Sequence, residues 1–187
     1  MKIEVDDYLK IIKQVKDGLV FFDMEASGLR GDYSSSICVS FKPYGRTVFS
    51  KTIGQPGNDQ RLVREAKEEL EKYHCWVTYY GKGFDLPFLN TRLLKWGLTP
   101  VDRRHHIDLY YVLRYNTLVS RRSMSQYAGL LQTHDQKMGV SPNVWSEMGF
   151  RMKEHMPIMV KRCESDCKVL ESVFDKTSHL IRDIVCK

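Results

Sequence analysis

The sequence lacks any hydrophobic run long enough to cross a membrane. A membrane-spanning helix needs about 18 or more consecutive apolar residues, and no such stretch occurs. The first residues, MKIEVDDYLKIIKQVKDG, contain several acidic residues and are amphipathic, which distinguishes them from a secretory signal. We therefore predict a protein without a membrane segment or a secretory leader.

Cysteines are few, and they match no zinc-binding spacing. There are five, an odd number, scattered from position 38 to position 186. This pattern predicts a reducing, cytoplasmic compartment. Cys163 and Cys167 lie one helical turn apart and could share a metal ion, but the favoured interpretation is that both are small buried core residues.

Internal repeats and linker-like stretches are also absent. The chain has 187 residues, of which 42% are hydrophobic, and this suits one domain, residues 1–187, with its own core. Lys and Arg number 29 against 23 Asp and Glu, which gives a net charge of +6. A basic balance is compatible with a polyanionic partner, although many basic proteins never bind nucleic acid.

The hydrophobic patterns predict an early antiparallel group of strands, followed by alternating helices and strands. Predicted strands cover residues 19–25, 37–41, 46–53, 75–80 and 106–109. Predicted helices cover residues 6–16, 59–73, 86–96, 110–115 and 123–131, and Pro157 starts a last long helix at its first turn. Asn58 or Asp59 can cap the second helix. Residues 132–143 are polar and show little periodicity, which indicates a loop. This order favours an α/β fold in which helices flank a central mixed sheet of five strands.

Two acidic residues follow a very apolar run in the stretch VFFDMEASGLR, residues 20–30. The aromatic and β-branched residues that open it are typical of a buried strand. Asp23 and Glu25 are two positions apart, so their side chains point to the same face of that strand. Burial and mutual repulsion both disfavour such a pair, which makes a functional role more plausible than a solvated strand end. A glycosidase pair has suitable chemistry, but the usual barrel scaffolds are longer than this chain.

Two further acids lie near the ends of other predicted elements. Asp85 follows the fourth strand in YYGKGFDLPFLNTR, and Asp166 lies on the last helix in CESDCKVLESVF. Strand-end acids in such a sheet gather at one edge, where a packed helix can add another carboxylate. Four carboxylates without cationic partners need bound cations, and Mg²⁺ or Mn²⁺ prefers oxygen ligands. Considered alone, Asp85 could instead cap helix 86–96, and Asp166 could be an ordinary surface charge.

These segments resemble, in order, the three motifs of the DnaQ-like 3′–5′ exonucleases within the RNase H-like superfamily. DMEASGL resembles the first motif, GKGFDLPFLNTR the second and CESDCKVL the third. The segment HIDLYYVLR is similar to one found in a branch of predicted exonucleases from bacteria, archaea and viruses. The resemblance extends over about residues 19–174, and its specificity lies in the order and spacing of all three motifs.

The resemblance implies an RNase H-like fold and hydrolysis of phosphodiester bonds in DNA or RNA from single-stranded 3′ ends. It implies that Asp23, Glu25, Asp85 and Asp166 are catalytic residues that bind two Mg²⁺ or Mn²⁺ ions. Such ions activate a water molecule and stabilise the charge on the phosphate and its leaving oxygen.

The sequence departs from the family pattern at two positions. The family usually has Tyr or His four or five residues before the final Asp, whereas this chain has Arg162 and Lys161. Arg162 cannot act as a base, but it lies one turn from Asp166 and is predicted to face the site and bind the phosphate. The Asn that often opens the second motif is Tyr80, whose ring could stack on a base.

Several other residues are candidates for substrate binding or for support of the site. The predicted substrate contacts are Tyr80, Lys82, Phe84, Arg121 and Arg122, with Arg103 and Arg104 as further candidates for the nucleic-acid backbone. In most proteins such arginines are simply solvated. The segment GKG, residues 81–83, is too short for a phosphate-binding loop, and its glycines predict a turn. Asp108 could either support the metal site or hold local structure. The three histidines His105, His106 and His155 are more typical of surface or core positions than of catalytic bases.

The sequence leaves three functions open. The leading hypothesis is a metal-dependent nuclease, most simply a 3′–5′ exonuclease. One alternative is a nucleic-acid-binding module that kept the fold and lost catalytic speed with the Tyr or His. Another is an endonuclease or flap-type nuclease on the same metal centre. Retention of all four acids argues against a module that has lost its chemistry.

Overall fold

A mixed sheet forms the centre of the computed structural model, which describes residues 4–182 and 185–186. Its strands are β1 (Leu19–Ala26), β2 (Ser36–Pro43), β3 (Phe49–Thr52), β4 (Cys75–Thr78), β5 (His105–Asp108) and β6 (Val185–Cys186). The strand order is β3-β2-β1-β4-β5-β6. The five predicted strands are confirmed. The two-residue β6 adds an edge strand that is too short to leave a pattern in the sequence.

The sheet combines an antiparallel half with a parallel half. β1 pairs antiparallel with β2, and β2 pairs antiparallel with β3. β1 pairs parallel with β4, and β4 pairs parallel with β5. The carboxyl ends of β1, β4 and β5 therefore lie at the same edge of the sheet.

Helices cover both faces of this sheet. They are α1 (Val5–Gln14), α2 (Gln60–Leu70), α3 (Asp85–Lys95), α4 (Leu109–Asn116), α5 (Met124–Leu130), α6 (Pro142–Glu147) and α7 (Met152–Thr177), with a 3₁₀ turn at Ser178–Leu180. Helices α1, α4, α5 and α7 pack against one face, and α2 and α3 pack against the other. This arrangement confirms the predicted α/β class. No helix among the described residues is long and apolar enough to span a membrane.

The alternation of side chains along β1 decides which acids meet which helix. Phe21 belongs to the apolar cluster that includes α7, whereas Val20 and Phe22 belong to the cluster that includes α2 and α3. Because successive side chains point to opposite faces of a strand, Asp23 and Glu25 share the α7 face with Phe21. The buried apolar start of β1 thus fixes its register and directs both carboxylates toward the last helix.

Two predicted helix starts are corrected by the structure. The last helix begins at Met152, and Pro157 lies inside it rather than at its first turn. A proline deprives only the carbonyl four residues earlier of a hydrogen bond, here that of Lys153 in the first turn. The buried side chains of His155 and Met159 extend the packed face across the proline. Upstream, α6 begins at Pro142 with Ser141 as its cap. The polar loop therefore ends slightly earlier than the prediction of residues 132–143.

Asp59 occupies the predicted N-cap position of α2, but its side chain makes no capping hydrogen bond. It instead accepts hydrogen bonds from the Arg92 guanidinium at 2.7 and 2.9 Å and from Trp96 Nε1 at 2.7 Å. The backbone amide of Ser36 donates to the same carboxylate at 2.8 Å. Asp59 and Arg92 are both buried. The carboxylate therefore joins α2, α3 and β2 in place of capping a helix.

Candidate metal centre

Three carboxylates from two elements meet at the α7 face of β1. Asp23 and Glu25 come from β1 and Asp166 from α7, and one oxygen of each lies within 4.8 Å of the others. Glu25 and Asp166 are buried, and Asp23 is partly buried. The predicted convergence of the first and third motifs is thus present in the fold.

Asp85 reaches the same region from the opposite side of the sheet. It is the first residue of α3, and it is buried. Its Oδ1 accepts a hydrogen bond from the backbone amide of Met24 at 3.2 Å. Since Met24 separates Asp23 from Glu25, this contact places the fourth carboxylate next to the two acids of β1, close enough to repel them. The interpretation of Asp85 as a helix cap is wrong, because the N-cap position belongs to Phe84 and the Asp85 side chain turns toward β1.

Burial raises the pKa of these carboxylates and so favours their protonated form. It raises the pKa of Glu25 to about 7, against the opposing effect of Arg162. It raises the pKa of Asp85 to about 7 as well, although backbone hydrogen bonds oppose the change. The pKa of Asp23 rises well above its usual range through burial and then through repulsion by Asp166 and Asp85. The pKa of Asp166 is also raised, chiefly by burial. A bound cation would favour the ionised form of all four.

Two basic side chains already lie among the acids. Arg162 Nε donates to Glu25 Oε1 at 2.7 Å, and Lys137 Nζ lies 2.6 Å from Asp166 Oδ2. The sequence-based premise that the acids lack cationic partners is therefore wrong. Arg162 could be found from its spacing to Asp166 on the helix, and its predicted orientation toward the acids agrees with the structure. Lys137 could not, because it lies in a polar loop without periodicity.

Hydrogen bonds hold the loop that carries Lys137 against α7. Ser165 Oγ donates to the Gln136 carbonyl at 3.1 Å, and Arg162 Nη1 donates to the Met138 carbonyl at 3.0 Å. Ser172 Oγ adds a hydrogen bond to Asp135 Oδ2 at 2.8 Å. These contacts hold the loop over the carboxylates and explain how its lysine reaches Asp166.

The donor set fits a hard divalent cation. All the candidate ligands are carboxylate oxygens, which Mg²⁺, Mn²⁺ and Ca²⁺ prefer. The buried Oδ1 of Asp166 has no hydrogen-bond partner among the described residues, whereas its Oδ2 faces Lys137. An unpaired buried carboxylate oxygen is costly, and a bound cation would compensate for it. Asp23, Glu25 and Asp166 could therefore bind a metal ion.

The cysteines near the acids behave as core residues. Cys163 and Cys167 are fully buried, and burial raises the pKa of both thiols. Cys163 Sγ donates to the backbone carbonyl of Asp23 at 3.3 Å, and Cys167 Sγ donates to the carbonyl of Ser40 at 3.4 Å. Protonated thiols are poor metal ligands, so the interpretation of these two residues as core residues holds.

The turn between β4 and Asp85 is stabilised by Asp108. The Asp108 carboxylate accepts from the backbone amides of Tyr80 at 2.8 Å, Lys82 at 2.9 Å and Tyr110 at 3.1 Å. Of the two roles considered for Asp108, the structure shows the structural one. Tyr80 has a positive φ of 65°, and its ring covers Gly83 so closely that a Cβ there would lie 2.4 Å from it.

Among the described contacts, no side-chain hydrogen bond or ion pair joins the remaining predicted residues to the four acids. Phe84 packs against Phe88 with ring centroids 5.5 Å apart. Arg121 and Arg122 are exposed in the segment before α5. His106 pairs with Thr78 at 2.8 Å, and His155 pairs with Glu147 at 2.9 Å. Neither of these two histidines contacts the acid cluster through those bonds.

A family model described as RNase H superfamily matches residues 20–177. The chain belongs to the RNase H superfamily. This assignment confirms the superfamily and the fold implied by the three motifs. The finer placement among exonucleases goes beyond what the family match shows.

Two curated relatives are similar to this RNase H superfamily chain over about half of its length. It is 32% identical over 105 residues to the uncharacterized protein YprB of Bacillus subtilis strain 168, covering 53% of this chain and 25% of YprB. It is 28% identical over 142 residues to a PolC-type DNA polymerase III of Ureaplasma parvum serovar 3, covering 59% of this chain and 10% of the polymerase. The matched region therefore spans a quarter or less of either relative.

Solved structures support the RNase H-like fold. A family B DNA polymerase from Pyrobaculum calidifontis superposes with a TM-score of 0.68 at 16% identity, over 84% of this chain and 24% of the polymerase. A protein solved as the apo form of a nuclease superposes with a TM-score of 0.58 at 17% identity, over 95% of this chain and 77% of that one. At such identities the similarity establishes the fold alone.

Proposed function

We propose that this protein is a metal-dependent nuclease that hydrolyses phosphodiester bonds, and specifically a 3′–5′ exonuclease acting on DNA or RNA. The observation that carries the proposal is the meeting of three carboxylates from β1 and α7, one of which keeps a buried oxygen without a partner among the described residues. A fourth carboxylate, that of Asp85 on α3, accepts a hydrogen bond from the backbone amide between the two acids of β1. Family membership and the similarity to two polymerases and a nuclease support a nucleic-acid substrate.

Asp23, Glu25, Asp85 and Asp166 are the residues that would hold the ions, two Mg²⁺ or Mn²⁺ in this proposal. When bound, such ions would lower the pKa of a water molecule and stabilise the charge that develops on the scissile phosphate. The protein fixes the acids on β1, α3 and α7, so that little reorganisation is needed during the reaction.

Arg162 is proposed to stabilise the phosphate rather than to accept a proton. Its Nε pairs with Glu25 and its Nη1 with the Met138 carbonyl, so the guanidinium is held beside the acids in one orientation. Arginine stays charged at any pH at which the protein is folded, which excludes a role as general base. A fixed positive charge at this position can bind a phosphate oxygen and support the developing negative charge.

Polarity and substrate form rest on the motif resemblance. We infer hydrolysis from single-stranded 3′ ends because DnaQ-like enzymes, which the three motifs resemble, act in that way. We also infer that residues 1–187 form one domain and work in a reducing cytoplasm, where the four described cysteines stay as free thiols.

A non-catalytic nucleic-acid-binding module is the second candidate, and one observation favours it. Lys137 and Arg162 already neutralise two of the buried acids, which makes the cluster tolerable without metal. A protein that had lost its chemistry could keep the acids in this way. An endonuclease or flap-type activity would use the same centre and differ only in where the strand is cut.

Incubation with an oligonucleotide labelled at the 3′ or the 5′ end distinguishes these functions. With Mn²⁺, the exonuclease should shorten the 5′-labelled strand progressively and release the 3′ label first, whereas EDTA should abolish both. Asp23→Asn should be inactive, and Glu68→Gln, an exposed acid on α2, should match the wild type. Internal cuts would indicate an endonuclease, and binding without any cleavage would indicate the non-catalytic module.

A further inference from the structure

The segment from α4 to α5 carries charge of one sign only. Residues 109–134 contain Arg114, Arg121 and Arg122 and no Asp or Glu. All three arginines are exposed. Within the described part of the chain, the arginines that form ion pairs are others. The three arginines of this acid-free segment therefore carry positive charge that forms no ion pair with a carboxylate of the described residues.

Several tyrosines lie within this segment or pack against it. The rings of Tyr80 and Tyr111 are stacked at 6.1 Å, and Tyr110 meets Tyr80 edge-on at 4.9 Å. Tyr115 lies one helical turn after Tyr111 on α4, and the Arg114 guanidinium lies 5.9 Å from its ring. Tyr80 is 44% exposed and Tyr115 is 77% exposed. A contiguous group of exposed aromatic side chains is typical of a ligand-binding surface.

Hydrogen bonds fix this region in place. Tyr79 Oη donates to the Arg122 carbonyl at 2.6 Å and so ties the arginine segment to the end of β4. Thr117 Oγ1 lies 2.7 Å from Tyr127 Oη, which joins the end of α4 to α5. The strained backbone of Tyr80 is held by the Asp108 carboxylate. A surface ordered in advance loses little conformational entropy when it binds a ligand.

The same region lies at the edge of the sheet that carries the acids. Tyr80 follows β4 and α4 follows β5, and both strands run parallel to the one that bears Asp23. The amide of Phe84 donates to the Tyr80 carbonyl at 3.0 Å, and Asp85 comes next in the chain. One tight turn thus connects the tyrosines with the fourth carboxylate.

We propose that Tyr80, Tyr111, Tyr115, Arg114, Arg121 and Arg122 form a binding surface for single-stranded nucleic acid, the tyrosine–arginine surface. Unpaired bases stack on aromatic rings, and arginines bind the phosphates between them. Bases in a duplex are already stacked and paired, so double-stranded nucleic acid should bind this surface more weakly. The inference rests on the proposed function for the class of ligand, but not for cleavage.

Fluorescence anisotropy in EDTA tests the surface without cleavage, with labelled single-stranded DNA and RNA as separate probes. The tyrosine variant is Tyr80→Ala/Tyr111→Ala, and the arginine variant is Arg114→Ala/Arg121→Ala/Arg122→Ala. The control removes the same number of positive charges from α2 and the residues just after it, as Arg61→Ala/Arg64→Ala/Lys72→Ala. Helix α2 packs against the opposite face of the sheet. Thermal unfolding of each variant verifies that it is folded.

The two variants should differ in their dependence on salt. Loss of stacking should weaken binding by on the order of tenfold at every salt concentration. Loss of three phosphate contacts should reduce the slope of log affinity against log salt by about 2, since each contact on a single strand contributes about 0.7. The control should bind nearly as the wild type does.

Two results would overturn the surface: folded variants that bind as the wild type does, or a control that loses as much affinity as the arginine variant. If the wild type cleaves with Mn²⁺ and the variants bind normally, the proposed nuclease stands and this surface fails. If the variants lose binding while the wild type cleaves nothing, the surface stands and the proposed nuclease fails.

Discussion

At the scale of single residues, Arg162 occupies the helix turn where the DnaQ-like exonucleases, which the three motifs resemble, have Tyr or His. We expect Arg162→Tyr and Arg162→His to cleave more slowly, by about a hundredfold, because neither supplies a permanent positive charge beside the scissile phosphate. Single-turnover rates on a single-stranded oligonucleotide with Mn²⁺ measure the effect. Arg151→His, which changes an exposed guanidinium at the start of the same helix, serves as the control. Faster cleavage in either variant would mean that Arg162 only replaces a lost base.

Lys137 competes with metal for Asp166, since its ammonium lies 2.6 Å from Oδ2. Lys137→Met should therefore bind Mn²⁺ about fivefold more tightly, because an ion pair with one partly exposed partner contributes about 1 kcal/mol. Isothermal calorimetry measures the affinity, and Lys153→Met on the exposed side of α7 controls for net charge. Equal affinities in Lys137→Met and the wild type would show that the lysine moves aside without cost.

At the scale of elements, β1, α2 and α3 could be predicted from the sequence, but the buried contact that joins α2 to α3 could not. The apolar run before Asp23 indicates a buried strand, and the alternation of its side chains places both acids on one face. The Asp59–Arg92 pair joins residues that are far apart in sequence, and no local pattern marks it. The contact between Lys137 and Asp166 could not be predicted either, because the loop that carries Lys137 has no periodicity. The predicted start of α7 at Pro157 is wrong, since the helix begins at Met152. A proline near the start of a helix does not by itself determine whether the helix begins at the proline or a few residues before it.

The buried Asp59–Arg92 pair should contribute strongly to the packing of α2 against α3. Asp59→Ala leaves a guanidinium without a carboxylate in a site that is fully buried. We expect a loss of about 3–5 kcal/mol in the free energy of unfolding, because an uncompensated buried charge is costly. Urea unfolding measures it. Glu68→Ala removes the partner of Arg64 in an exposed pair and should cost less than about 1 kcal/mol.

At the scale of the whole molecule, the buried acids should make the metal-free protein less stable as the pH rises. The pKa values of Glu25 and Asp85 are raised to about 7 in the folded state, from 4.5 and 3.8. Between these limits the folded protein binds more protons than the unfolded chain, so the free energy of unfolding falls with increasing pH. Asp85→Asn, which cannot ionise, should show a shallower fall in EDTA. Unfolding curves that do not change between pH 5 and pH 7 would contradict these raised pKa values.

The central claim is that the acids on β1, α3 and α7 form a divalent metal site, and calorimetric titration with Mn²⁺ tests it most directly. The wild type should bind Mn²⁺, Asp23→Ala should lose most of that binding, and Glu68→Ala should keep it. Asp23 is the acid whose carboxylate is repelled by the other three, so its removal should affect the site more than any change at the surface. If Asp23→Ala binds Mn²⁺ with the stoichiometry and affinity of the wild type, these residues are not the ligands.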